Sequence, residues 1–160
     1  MAFEPVPLQP LERGYLRVLR MRSALGWLIA LTVAVAVEVF LHWRTDISPG
    51  FVVGAVGLLG VVSIVFLVPR RWRRWGYAFT DRELHVAYGW FTRVYTVVPV
   101  SRVQHIDVSQ GPIERSADVA TLILHTAGTE NSLVALSGIS RQRAEDIRDV
   151  IRGRISDAPW

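Results

Sequence analysis

Two long apolar runs decide most of what this chain can become. Residues 23–43 read SALGWLIALTVAVAVEVFLHW, with one carboxylate and no Arg. Residues 51–68 read FVVGAVGLLGVVSIVFLV and carry no charge at all. At about 1.5 Å per helical residue the second run covers roughly 27 Å, close to the ~30 Å hydrocarbon core of a bilayer. Neither run shows the polar stripe of a half-buried soluble helix. Both therefore read as transmembrane helices. The first starts too late for a signal peptide and is followed by a second span rather than a cleavage site. The connecting RTDISPG is short enough to force an antiparallel hairpin.

Charge placement sets the expected orientation. Arg13, Arg17, Arg20 and Arg22 precede the first run, and Arg70, Arg71, Arg73 and Arg74 follow the second. Between the runs, Arg44 is offset by Asp46. Basic residues stay on the cytoplasmic side, so the expected topology is multi-pass with both termini cytoplasmic. Trp27, Trp43, Trp72 and Trp75 fall at or near the expected interfaces, where amphipathic rings anchor. Residues 76–160 hold nine Arg against ten carboxylates, so the basicity is juxtamembrane. That balance argues against nucleic acid as a partner.

Composition removes several chemistries. With no Cys there is no disulfide framework, cysteine nucleophile or Cys-ligated zinc. Every basic residue is Arg, which excludes a Schiff-base lysine and a P-loop.

After Trp75 the pattern changes to alternation. GYAFT and ELHVAY read as a hairpin about Thr80-Asp81-Arg82. TRVYTVV closes at Pro99, RVQHIDVSQ is broken by Gly111-Pro112, and VATLILHT and 132–136 complete six strands. Ser140 is placed to cap a helix to about Arg154, with Ala144, Ile147, Val150, Ile151 and Ile155 as its apolar stripe. The reading divides the chain into an N-terminal segment 1–22, a helical hairpin 23–68, a basic juxtamembrane segment 69–75, a domain 76–155 and a tail 156–160. Its fold class is a transmembrane hairpin followed by a mainly antiparallel β sandwich or barrel, capped by a C-terminal helix.

In this order the features resemble the bacterial pleckstrin-homology (PH) domain family, and within it the YdbS-like membrane group. The segments carrying the resemblance are the "Y…TD…L" opening, the Gly89-aromatic turn, Pro99 with Arg102 and Gln104, "QGP-x-ER" and "T-A-G". It covers roughly residues 13–154. It implies a PH-like fold, usually of seven strands, one more than the alternation displays. It also implies a bacterial inner-membrane location and a larger multi-PH-domain membrane protein as partner. Where the family pattern has Gly this chain has Asp118, and Ala117 replaces a larger apolar residue. Asp tolerates left-handed backbone better than most residues, so the turn is expected to survive.

Each candidate site also has an ordinary explanation. Arg70, Arg71, Arg73 and Arg74 are a topology signal and also a lipid-headgroup site, at about 1 kcal/mol per Arg near an anionic leaflet. The turn near Arg82 also holds Asp81 and Glu83, so phosphoinositide binding is not transferred. Glu38 lies inside the first run and His42 follows on the same helical face, which points to snorkelling or local pairing. Gly54, Gly57 and Gly60 thin one face of the second helix for packing against Gly26, Ala30 and Ala34. His85, His105 and His125 fall on three strands, with Asp107 beside His105; no metal site is expected. No nucleophile-elbow motif surrounds Ser109, Ser116 or Ser137. Glu114 and Asp118 read as turn-capping rather than a catalytic pair. Gln110, Gly111, Pro112, Glu114 and Arg115 break the sheet with polar residues and form the expected partner-binding loop.

The expectation is therefore a non-enzymatic membrane-anchored interaction module without cofactor, whose partners are membrane lipids and a multi-PH-domain protein or a second copy. The alternatives are an anionic-lipid sensor and, further off, an envelope or lipid-modifying enzyme. Replacing Arg70, Arg71, Arg73 and Arg74 together with Gln should scramble the orientation of the termini. Cysteine-accessibility labelling at sites introduced into this Cys-free chain checks it, and an unchanged pattern would refute the assignment.

Overall fold

A computed structural model describes residues 6–44, 50–80, 82–90, 92–127 and 133–156. The expected turns at Asp81 and 128–131, the centre of the hairpin loop at 45–49 and the tail at 157–160 lie outside the described residues. The chain divides into two compact units, one of Leu16–Arg70 and one joining the residues up to Tyr15 with those from Arg71 onward.

The first unit is helical. Helix α1 covers Arg13–Arg44, beginning ten residues ahead of the apolar run because the Arg-rich lead-in is itself a good helix former. The second helix runs Phe51–Arg74. It comprises α2 (Phe51–Val62), a π-helical turn (Ser63–Leu67) and α3 (Val68–Arg74). Pro69 follows directly on the π-helical turn inside this continuous helix, where its missing N–H interrupts the ordinary helical ladder. Both helices are long and apolar enough to cross a membrane, and only 6% of each apolar window is buried. Their exposed Leu, Val, Ile and Phe side chains suit a lipid solvent.

The second unit holds two antiparallel sheets. One has the order β1 (Gln9–Pro10), β2 (Gly76–Phe79), β3 (Glu83–Tyr88) and β4 (Val94–Pro99); the other has β5 (Val103–Ser109), β6 (Ala120–Thr126) and β7 (Leu133–Ile139). A 3-10 turn at Val100–Arg102 leads from the first sheet to the second. A short helix α4 (Pro112–Ser116) joins β5 to β6, and α5 (Arg141–Ser156) closes the chain. The six strands read from alternation are present within one to three residues at each end.

The seventh strand is β1, from a segment expected to lie outside the domain. Gln9 pairs with Tyr77 and Pro10 with Gly76. Proline is tolerated there because β1 is the outer edge of its sheet and owes no ladder hydrogen bond on that side. The Glu12 N–H then donates to the Gly138 carbonyl at 2.9 Å. Gly138 has φ +85°, and a Cβ there would stand 2.4 Å from the Tyr15 ring. At the start of α1, a Cβ on Gly14 would stand 2.2 Å from the Ala117 carbonyl oxygen. The N-terminal segment is thus built into the sheet domain.

Leu84, Leu122, Leu124, Leu136, Ile139, Ile147 and Ile151 fill the core, each worth about 1.5–3 kcal/mol on burial. From α5, Ala144, Ile147 and Ile151 face inward, but Val150 is 45% exposed. At about 100° per residue Val150 sits some 60° beyond Ile147, off the buried stripe. The side chain of Ile155 lies outside the described residues. Asp118 has φ 54°, the left-handed conformation expected of it.

Two substitutions separate these backbone demands. Gly138→Ala should destabilise the protein by at least about 1–2 kcal/mol, because a side chain is forced left-handed and meets the Tyr15 ring. Asp118→Gly should be neutral or stabilising, since it relaxes the same backbone conformation without removing a core contact. Thermal unfolding of the full chain in detergent checks both.

Candidate docking surface and its surroundings

The Gly111-Pro112 break is an ordered structure. Pro112 opens α4 at a position whose N–H would be unpaired anyway. Glu114 is only 6% exposed, and its carboxylate accepts the Gly111 N–H at 2.9 Å. This is half of a capping box, since Gly111 has no side chain to return the bond. The Thr121 hydroxyl lies 3.3 Å from the same carboxylate and 3.1 Å from Ser137 Oγ. Gln110 donates through Nε2 to the Val119 carbonyl at 3.0 Å. Glu114 and Gln110 therefore hold the loop and do not offer themselves to a partner. Pro112 and Arg115 remain exposed.

Arg115 stands over a hollow of about 240 Å³ shared with Val108, Gln110, Arg141, Glu145 and Arg148. Arg141 pairs with Glu145 at 2.8 Å, one helical turn along α5. Arg148 pairs with Asp149 at 2.8 Å, and this hydrogen bond holds the Asp149 carboxyl below the ordinary Asp range. With Arg141 paired to Glu145 and Arg148 to Asp149, three guanidinium groups stand against two carboxylates, and the net positive charge left at the hollow suits an acidic side chain. Sequence reasoning missed Arg141 and Arg148 because only the fold brings α5 beside the loop.

At the exit of the second helix, Arg70, Arg71, Arg73 and Arg74 are all exposed. Arg71 lies 4.8 Å over the Trp75 ring, a cation–π contact, and Arg74 donates to the Trp90 carbonyl. Trp72 donates through Nε1 to the Glu12 carbonyl at 3.2 Å, so this ring does structural work.

Residues 21–155 match the bacterial PH domain family. The chain belongs to that family. It is 35% identical over 157 residues to the UPF0699 transmembrane protein YdbS of Bacillus subtilis, covering 94% of this chain and 96% of the relative. It is also 30% identical over 101 residues to the UPF0699 transmembrane protein YdbT of the same organism, covering 61% of this chain but only 20% of that longer protein. No solved structure matches significantly. The protein is thus a bacterial PH-domain membrane protein of the YdbS-like group, with its PH-like sandwich following two apolar helices.

The remaining candidates in this PH-domain chain take structural roles. Glu38 accepts hydrogen bonds from the N–H groups of Gly50 and Val53, the latter at 3.1 Å. An apolar-run carboxylate thereby caps the second helix, where the helix dipole favours negative charge. Of the three glycines, Gly60 meets the Trp27 ring, 3.2 Å from a built Cβ, and Gly57 approaches Leu31 at 3.9 Å. Gly54 and Gly26 have open space around them, so among the glycines the close contact is that of Gly60 with Trp27, while Ala34 of the expected stripe is buried. His85 is buried, with Nδ1 2.7 Å from the Tyr95 hydroxyl. His105 pairs with His125 across β5 and β6, and their Nε2 atoms lie 2.9 Å and 3.2 Å from the two oxygens of Asp107. This is an exposed hydrogen-bonded trio; no group of three or more His, Cys, Asp and Glu among the described residues could hold a metal ion.

Glu114→Ala should cost about 1–3 kcal/mol, since it strands buried partners, whereas Arg115→Ala should stay within about 0.5 kcal/mol. Thermal unfolding separates them. Equal losses would remove the distinction between a holding residue and a presented one.

Proposed function

We propose that this protein is a non-enzymatic docking module anchored in the bacterial inner membrane, with both termini cytoplasmic and the hairpin loop outside. The pairing of Gln9 and Pro10 with Tyr77 and Gly76 supports that topology. Residues before the first span and after the second share one sheet, so the chain crosses the bilayer an even number of times.

The observation that carries the docking reading is the locked loop. Buried Glu114 fixes α4 while Arg115 stands exposed over the hollow formed with Arg141 and Arg148. A preorganised cation loses little entropy on binding, which favours recognition of an acidic segment. The proposed partner is a larger membrane protein carrying several PH-like domains. Similarity to 101 residues of the longer YdbT supports this, because a unit of this kind recurs within a longer membrane chain. Two proteins confined to one bilayer also meet at high effective concentration, so a small polar contact suffices.

Purification of the tagged full chain from its own membrane in mild detergent tests the reading. A stoichiometric membrane companion is expected, and Arg115→Glu should lower its recovery about tenfold, equivalent to about 1.4 kcal/mol. Recovery of the chain without any protein companion would refute it. The exposed Arg70, Arg71, Arg73 and Arg74 favour anionic-lipid sensing as the second reading. In that case anionic phospholipid should co-purify and be lost when the four are replaced by Gln.

A further inference from the structure

The sheet domain contains a second hollow, larger than the one at Arg115 and of opposite character. It has a volume of about 520 Å³, and none of its lining residues carries a charge. The two sheets line it differently. From β4 only the alternate residues Val94 and Thr96 contribute, as a strand does when it offers a face. From β7 every one of residues 133–137 contributes, as a strand does when it offers an edge. The hollow therefore runs along the free edge of β7, with side chains of the β1–β4 sheet as its floor.

That edge is unlike the other three in the domain. Strand β1 is two residues long and ends in Pro10. Strand β4 follows Arg93 and ends at Pro99, while β5 carries His105 and Asp107 and lies beside α5. Short length, charge, proline and a covering helix are the devices that keep sheet edges from pairing with other chains. Strand β7 has none of them. It is seven residues long, without charge or proline, and over 133–137 it pairs only with β6 among the described residues. Leu133 is 56% exposed on it. An antiparallel strand turns every second pair of N–H and C=O groups away from its partner, so β7 presents a row of them along the hollow.

Two properties identify the occupant. A row of backbone donors and acceptors is matched in register only by another extended backbone, which neither an acyl chain nor a small metabolite supplies. The rim of the hollow is cationic as well. Exposed Arg93 adjoins the lining Val94, and Arg71 stacks at 4.8 Å on the ring of the lining Trp75. A second copy would bring its own β7, whose lack of charge leaves that rim unanswered. A strand with a carboxylate beside apolar residues answers both the edge and the rim.

We propose that β7 is a strand-addition site for an extended segment of another protein, which joins β5–β7 as a fourth strand. Alternate apolar side chains of that segment enter the hollow, and an acidic residue at one end meets Arg93. The site shares no residue with the hollow at Arg115 and stands or falls independently of the docking reading.

The test is selection of a displayed library of short random peptides on the full chain in phosphatidylcholine nanodiscs. Enriched peptides should alternate apolar and polar residues and carry Asp or Glu at one end. Synthetic copies should slow amide hydrogen exchange at 133–137. N-methylation of one alternate set of peptide amides should weaken binding at least tenfold and that of the other set should be tolerated, because a strand turns only every second N–H toward its neighbour. Leu133→Asp, at an exposed position, should weaken binding about tenfold, and Val150→Asp on α5 should change nothing. Against Arg93→Glu, selection should keep the alternation and exchange the acidic end for a basic one. No enriched sequence, enrichment without alternation, or an equal response to the two methylated sets would each overturn the proposal. So would a dimer of the full chain that Leu133→Asp splits, which gives the edge to a second copy, or a bound phospholipid that no peptide displaces.

Discussion

Gln9 and Pro10, ahead of the first helix, lie in one sheet with Tyr77 and Gly76, which follow the second. This pairing is the constraint on which the rest of the sheet domain depends. It covers the outer edge of β2, which would otherwise present unpaired backbone groups. It delivers Glu12 to the Gly138 carbonyl and Tyr15 against the left-handed Gly138. It also carries Leu11 and Tyr15 to the cavity that β7 walls on another side. Without β1 the seven-stranded architecture loses an edge, and the apolar hollow loses part of its lining.

The polar residues that look most chemical in this chain are spent on holding backbone. Glu38 caps a helix, Glu114 ties a loop to β6, and His85 meets a tyrosine hydroxyl inside a sheet. Each is a buried or apolar-run polar group that must find a partner to avoid a desolvation cost of about 1–3 kcal/mol. Satisfying them locally leaves the outward-facing chemistry to arginines. Two clusters of them, at the helix exit and at the hollow beside α4, have different neighbours. Aromatic rings and an apolar cavity adjoin the exit, while carboxylates and a carboxamide adjoin the hollow.

Much of the fold was legible because period and length are local properties. The apolar runs declared the helices by length alone, and strict alternation in ELHVAY and VQHIDVS declared β3 and β5. Ser140 marked the start of α5, and its hydroxyl accepts the Arg143 N–H at 3.2 Å. The strand β1 was not legible, since two residues ending in proline show no period and their partner lies beyond both helices. Val150 was misplaced because i and i+3 positions are neighbours on a helix without both being buried. The site was less legible than the fold. The polar break at 110–115 could be found, but which of its side chains point outward depends on Thr121 and Val119, and the company of Arg115 depends on α5. The trio of His105, Asp107 and His125 needed the β5–β6 register, which spacing along the chain does not contain.

The sheet that receives Gln9 and Pro10 also has a consequence for the order of assembly. Synthesis delivers these residues first, yet their partners follow only after both apolar helices have been made. The edge strand must wait, unpaired, while the hairpin enters the membrane. Contacts so distant in sequence form slowly, because loop closure is costly until neighbouring contacts reward it. The PH-like domain thus joins its earliest-made strand to residues that are synthesised only after the hairpin.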